Sequence, residues 1–176
     1  MNKQKLEHIE KHAEKILRDT RAWQAPVPID VVAQRLGLKT EESVLGDDIS
    51  GLLVVERGRG AIGYNSAHAR VRQRFTIAHE LGHYVLHVGT STQSRLFIDR
   101  YVAFRDDESS AGSDREEVEA NAFGAALLMP GPLVRAEIRQ HDLDLDDEDD
   151  LTALAKRFHV SSSAMSYRLV NLGLLR

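Results

Sequence analysis

The stretch Phe75-Thr-Ile-Ala-His-Glu-Leu-Gly-His-Tyr-Val-Leu-His87 contains the pattern HExxH at His79, Glu80 and His83. Positions i and i+4 of a helix lie one turn apart on the same face, so His79 and His83 can each turn an imidazole nitrogen toward one metal ion. Glu80 is rotated further round and can reach a water beside that ion. Two ligands and a general base in this spacing point to zinc-assisted hydrolysis. The pattern requires a helix, and neither Pro nor Gly interrupts residues 67–81. Phe75, Ala78, Leu81, Gly82, Val85 and Leu86 recur at helical spacing, which places His79 and His83 at the edge of an apolar face, between core and cleft. Ser66 is the expected N-cap and Gly89 the expected stop.

Outward from this helix, the chain reads as α+β, mostly helical, with a small sheet before the HExxH helix. Residues 3–20 form an amphipathic helix with Leu6, Ile9, Ala13, Ile16 and Leu17 inward. His8 and His12 repeat the i, i+4 spacing, but they lie off that stripe among Glu7, Lys11 and Glu14 and read as a solvated face. Ala25-Pro-Val-Pro28 is a stiff connector to a short helix over 29–36 that ends at Gly37. Residues 50–56 and 60–64 read as strands joined by a turn over 57–60, with a further strand over 38–44. Such a sheet offers an edge along which an extended peptide can pair. After a loop from Gly89, residues 96–104 read as one more strand, and the Asp-, Ser- and Gly-rich residues 105–114 as a loop.

A catalytic zinc takes three protein ligands and leaves one position open. His87 is a poor third ligand. At i+8 on a straight helix it stands ~12 Å along the axis from His79, too far to share an ion bound at ~2 Å. The next helix, over 115–129, is a better source. Its second half is apolar almost all round, yet Glu117 and Asn121 share one polar strip with Gly124 nearby. A carboxylate facing into such a helix needs a partner, and a dication would be one. Asn121 would then hydrogen-bond a ligating imidazole from outside the coordination sphere. Glu119, pointing roughly opposite, is the second choice.

Composition bounds the rest. The 176 residues carry a net charge of −4 and no cysteine, so thiolate ligands and disulfides are excluded and nothing provides a general basic field for nucleic acid. The charged N-terminal residues lack the apolar core of a leader, and no run reaches membrane-spanning length, so a cytoplasmic protein is expected. We divide the chain into a metal domain, 1–150, and a C-terminal helix pair, 151–176, that packs on it. The acidic run over 142–150 reads as a solvated linker ending in a helix N-terminus. Residues 154–169 scan like a helix-turn-helix, with a turn near His159-Val160 and Ser162, Ser163, Ser166 and Arg168 outward. With few Lys or Arg on the second helix and acid next door, direct DNA reading is disfavoured, though a DNA-binding or regulatory module is the rival class.

Arg74-Phe-Thr-Ile-Ala-His-Glu-Leu-Gly-His83 and Glu117-Val-Glu-Ala-Asn-Ala-Phe-Gly-Ala-Ala-Leu-Leu-Met-Pro130 together resemble the ImmA/IrrE family of bacterial and phage metallopeptidases. The Pro26–Gly37 segment and the Val160–Leu169 tail extend the resemblance over most of the chain. It implies a gluzincin-like Zn2+ site of His79, His83 and Glu117 with Glu80 as base. It further implies a protein substrate, a helix-turn-helix repressor whose cleavage induces a stress, mobile-element or phage-defence operon. Gly124 departs from the family's more usual alanine, which should affect only packing. Tyr64, Tyr84 and Arg72 are candidate oxyanion donors on sequence proximity alone.

Overall fold

The computed structural model describes residues 1–56, 59–88, 95–100 and 111–175. The order is α1 (Lys3–Asp19), α2 (Ile29–Arg35), β1 (Leu38–Ser43), β2 (Ile49–Glu56), β3 (Arg59–Asn65), α3 (Arg70–His83), β4 (Arg95–Arg100), α4 (Ala111–Leu128), α5 (Gly131–His141), α6 (Glu148–Phe158) and α7 (Ser162–Asn171). This is the mixed α+β arrangement expected, with the sheet ahead of the HExxH helix.

The four strands lie in the order β1-β3-β2-β4. β2 pairs antiparallel with both β3 and β4, and β1 joins β3 in parallel, reaching it through the β2–β3 hairpin. Alternation sorts the sheet's two faces. Leu53, Val55 and Ile62 are buried, whereas Val54, Leu96 and Ile98 face outward. The inward face packs on α3, whose other side lies against α4. α3 is therefore enclosed, and every residue from Thr76 to His83 is buried. That enclosure makes its polar residues informative, because each must find a partner.

Several boundaries differ from expectation. α3 begins at Arg70 with Ala69 at the cap and no side-chain cap bond, while Ser66 stands before it with its N–H donating to the Ser43 carbonyl at 2.9 Å. At its far end α3 runs into a π-helical turn, Tyr84–Val88; Gly89 lies outside the described residues. The strand expected over 96–104 is seen from Arg95 to Arg100, and 101–104 lie outside the described residues, as do 105–110 of the expected loop. Residues 111–114 instead open α4.

α6 starts at Glu148 rather than at 151, with the Asp147 side chain accepting from the Asp149 and Asp150 N–H groups. The end of the acidic run, from Asp147 to Asp150, thus forms the helix N-terminus expected after the linker, where negative charge complements the dipole. The largest correction falls on α7. Arg168 was expected outward, but only 2 % of it is exposed. Its guanidinium makes a bidentate pair with Glu10 of α1, Nη2 to Oε2 at 2.8 Å, and Nε donates to the Met129 carbonyl at 2.9 Å. Arg74 does the same from α3, donating to the Val27 carbonyl at 2.9 Å and to that of His159, between α6 and α7, at 3.3 Å. Two buried arginines therefore tie the last two helices to α1, α3 and the end of α4.

Candidate metal centre

α3 presents His79 and His83 one turn apart, with their Nε2 atoms 3.0 Å from each other. The Glu117 carboxylate, reaching across from α4, stands 3.3 Å from His79 Nε2 and 3.1 Å from His83 Nε2. Four atoms able to hold a cation thus converge on one point, and all three residues offer donors within 4.8 Å of one another. Two donors bound at the tetrahedral angle ~2.0 Å from one ion stand ~3.3 Å apart, so these separations fit a shared dication. Two imidazoles and one carboxylate without thiolate are a donor set suited to an open, hydrolytic zinc position.

Glycine makes this convergence possible. A Cβ on Gly82 would lie 2.9 Å from both the Cα and the carbonyl oxygen of Ala120, backbone that cannot give way. One on Gly124 would lie 3.2 Å from the His79 nitrogen. The two glycines let α3 and α4 approach backbone to backbone, and only at that approach does a side chain as short as glutamate reach both imidazoles.

The rings are held differently. His79 Nδ1 donates to Asn121 Oδ1 at 3.0 Å, which leaves Nε2 facing Glu117. Phe97 of β4 stacks on His83, with centroids 4.7 Å apart and planes 25° apart. Burial works against a charge on His79, but its hydrogen bond to the Glu117 carboxylate and the nearby Glu80 and Asp99 outweigh it and raise its pKa. Burial likewise opposes ionisation of Glu117, and its two imidazole partners override that and hold its carboxyl well below the usual range. Each shift favours the charged form of its group, and a cation bound at His79 would have to displace its proton.

Glu80 lies beside this centre with both carboxylate oxygens buried and without a hydrogen-bond partner in the described structure. Desolvation pushes its pKa up to about 8; His79 pulls it down, and Asp99 and Glu117 push it further up. A carboxyl poised near neutrality is what proton transfer needs. Gly51 of β2 lies beneath it, where a Cβ would stand 2.2 Å from Thr76 Cγ2 and 3.6 Å from Glu80 Oε1.

The alternatives weighed on sequence separate cleanly in space. Glu119 faces away from the histidines and pairs with Lys5 and Arg115, each at 3.1 Å. His87 turns to the Glu116 carbonyl at 3.2 Å. Of Tyr64, Tyr84 and Arg72, only Arg72 lines the cleft that opens onto the centre, and it donates to Ser50 Oγ at 2.8 Å. Sequence reasoning missed Asp99 and Phe97. Their signal was present in Leu96-Phe-Ile-Asp99, where two-residue alternation puts Phe97 and Asp99 on one face.

The cleft, about 1010 Å³, runs from His79, Asp99 and Glu117 over an apolar floor including Phe75, Ala122 and Met129, and ends against Ser163 and Tyr167 of α7.

Residues 30–170 match the family model of Peptidase M78, the IrrE N-terminal-like domain. The chain is 30% identical over 153 residues to the radiation response metalloprotease IrrE of Deinococcus radiodurans, covering 86% of this chain and 40% of that protein. In fold it is similar to a Mycobacterium tuberculosis transcriptional regulator, with a TM-score of 0.61 at 18% identity over 93% of this chain and 46% of that one. It thus spans less than half the length of either relative.

Proposed function

This chain belongs to the IrrE N-terminal-like family, Peptidase M78, and on that premise we propose that it is a zinc-dependent endopeptidase with His79, His83 and Glu117 as ligands and Glu80 as general base. The observation that carries the reading is the convergence of two imidazole nitrogens and the Glu117 carboxylate beside a buried carboxylate with no hydrogen-bond partner.

When bound there, zinc supplies a Lewis acid that polarises the scissile carbonyl and makes a water acidic enough to attack near neutral pH. The protein does the rest. Asn121 holds the His79 ring, and Phe97 holds that of His83. Glu80 takes the proton of the attacking water and carries it to the leaving nitrogen. On this reading an extended polypeptide lies along the cleft, with its apolar lining beside the scissile bond.

The substrate we propose is a helix-turn-helix repressor whose cleavage induces a stress, mobile-element or defence operon, in the cytoplasm. The resemblance to this family supports it. Among the described residues no helix is long and apolar enough to cross a membrane. The metal domain at 1–150 would carry the chemistry, and the 151–176 helix pair would serve it by packing and by walling the cleft.

The rival reading, a DNA-binding or regulatory module built on α6 and α7, draws on the likeness to a transcriptional regulator and on the sharp left-handed turn at His159. It fares worse, because the only side chain on α7 long enough to grip a guanine edge, Arg168, is buried against Glu10.

Purified full chain should hold near-stoichiometric zinc. It should cut a helix-turn-helix protein encoded beside it, and the E80Q variant should keep the zinc but not cut. Zinc-free protein that cuts, or a cutting E80Q variant, would refute the assignment. A sequence-specific gel shift with operator DNA by this chain alone would promote the rival.

A further inference from the structure

We infer that Glu80 and Asp99 form a second divalent-cation site beside the His79–His83–Glu117 centre, and that filling it switches hydrolysis off. The inference rests on the metal-centre reading above and adds a ligand position to it.

His79, Glu80 and Asp99 offer donor atoms within 4.8 Å of one another, a grouping that uses neither His83 nor Glu117. The two nitrogens of His79 are already engaged, Nδ1 with Asn121 and Nε2 toward Glu117. A second ion would therefore be held by the two carboxylates and by water from the open cleft. Asp99 lines that cleft, so a hydrated ion can reach it.

Glu80 supplies the independent observation. It is fully buried and aimed at this point, and both of its oxygens are buried without a partner. A buried carboxylate needs two or more partners to recover its hydration. The hydrolytic water occupies one oxygen and leaves the other. Charge counting agrees. Glu80, Asp99 and Glu117 bring three negative charges to one end of the cleft when ionised, and one dication leaves a surplus. Repulsion between such close carboxylates is relieved by a cation between them.

The register fixes the pair. Asp99 is the strand partner of Gly51, and Gly51 is the residue beneath Glu80. Any side chain at 51 would fill the space between sheet and α3 that the two carboxylates face across. Oxygen donors with water suit Mn2+ best among the first-row dications and hold Zn2+ more weakly than the imidazoles of the triad do, so zinc fills this position only at higher free concentration. Arg72 is on the same wall, and its charge weakens the site, so it fills after the triad. A carboxylate whose lone pairs hold a cation cannot accept the proton of water, hence the inhibition.

The test is equilibrium dialysis of the full chain against buffered free zinc, with bound metal counted by mass spectrometry and hydrolysis followed in parallel. Wild type should take up one equivalent tightly and a second at higher free zinc, its rate falling in step with the second. D99N and D99A should each take up the first equivalent and lose the second, and their rates, compared with their own values at one equivalent, should no longer fall. The first equivalent serves as the folding control for both variants. Wild type saturating at one equivalent, or both variants retaining the second, would overturn the inference while leaving the triad intact. Wild type binding no zinc would instead refute the triad reading, and this inference with it.

Discussion

Two helices of this protein carry histidines four residues apart, and α4 lies against both of them. On α1, His8 and His12 stand edge to face with centroids 6.1 Å apart, and His12 meets the Phe123 ring at 6.2 Å. On α3, His79 and His83 meet Glu117 at 3.3 and 3.1 Å. The local spacing is the same, and the difference is which face of α4 each pair meets. α4 turns Glu117 and Asn121 to α3, while toward α1 it turns Phe123 and Glu119, and Lys5 neutralises Glu119 at 3.1 Å. The electrostatic consequence has opposite sign. Burial, with His8 and Lys15 nearby, lowers the pKa of His12. For His79 burial also disfavours charge, but Glu117 and its acidic neighbours prevail and raise it. An i, i+4 histidine pair becomes a cation site only when a second element brings negative charge to it.

The sharpest break in that comparison comes from chemistry. E80Q should lower kcat/KM on a cleavable substrate by about 10²–10⁴-fold with metal content unchanged. H83A should lose the metal itself, measured on dialysed protein. H8A and H12A should change neither quantity.

Next in size is R168A, which leaves Glu10 partly buried and unpaired. Breaking such a pair costs about 3–5 kcal/mol, so the urea midpoint should fall strongly, with R168K recovering only part because lysine cannot make the fork. An unchanged midpoint would mean that α7 is fastened by its apolar residues alone.

The pH dependence follows from Glu80. Its folded pKa, about 8, lies above the ordinary value of 4.5. Below the lower value the folded and unfolded states are both protonated, and no difference arises. As pH rises between the two, the unfolded state ionises first and the folded state loses stability, fully so above the upper value. Metal-free E80Q should therefore gain on metal-free wild type from pH 5 to pH 8.5 in thermal melts, by an amount on the order of a few kcal/mol. A constant gap across that range would show that Glu80 does not carry the shift.

Smaller again is the packing test of the α3–α4 approach. G82A pushes a methyl into the Ala120 backbone at 2.9 Å and should cost about 1–3 kcal/mol together with metal affinity. G124A meets its neighbours at 3.2 Å or more and should cost less on both measures. If G124A proves the worse, the closest approach of the helices does not set the reach of Glu117.

Much of this site was legible in the chain itself. Helical periodicity is a property of the backbone, so the 3.6-residue repeat placed His79 and His83 on one face and Glu80 to the side of it. The polar strip in an apolar helix marked Glu117 and Asn121, because a charge cannot be buried without a partner. The same local rules found β1, β2, β3 and the course of α1, and they misplaced ends, as at Ser66, which pairs its backbone with β1 while α3 starts only at Arg70.

The tertiary structure decided what local rules do not reach. The sequence ranks Glu117 ahead of Glu119 along α4 but leaves the choice open, and the packing of that helix turned Glu119 to Lys5 and Glu117 to the histidines. Phe97 and Asp99 enter the centre through the pairing of β4 with β2, a contact across more than forty residues whose register sets which side of the strand faces in. Arg168 turned inward because Glu10, 158 residues away, and the Met129 carbonyl stand where its guanidinium can satisfy both. Sequence determines the repeat along each element, since that repeat is covalent geometry. Which faces then meet is set by close packing and charge pairing among elements far apart in the chain, and those exist only once it has folded.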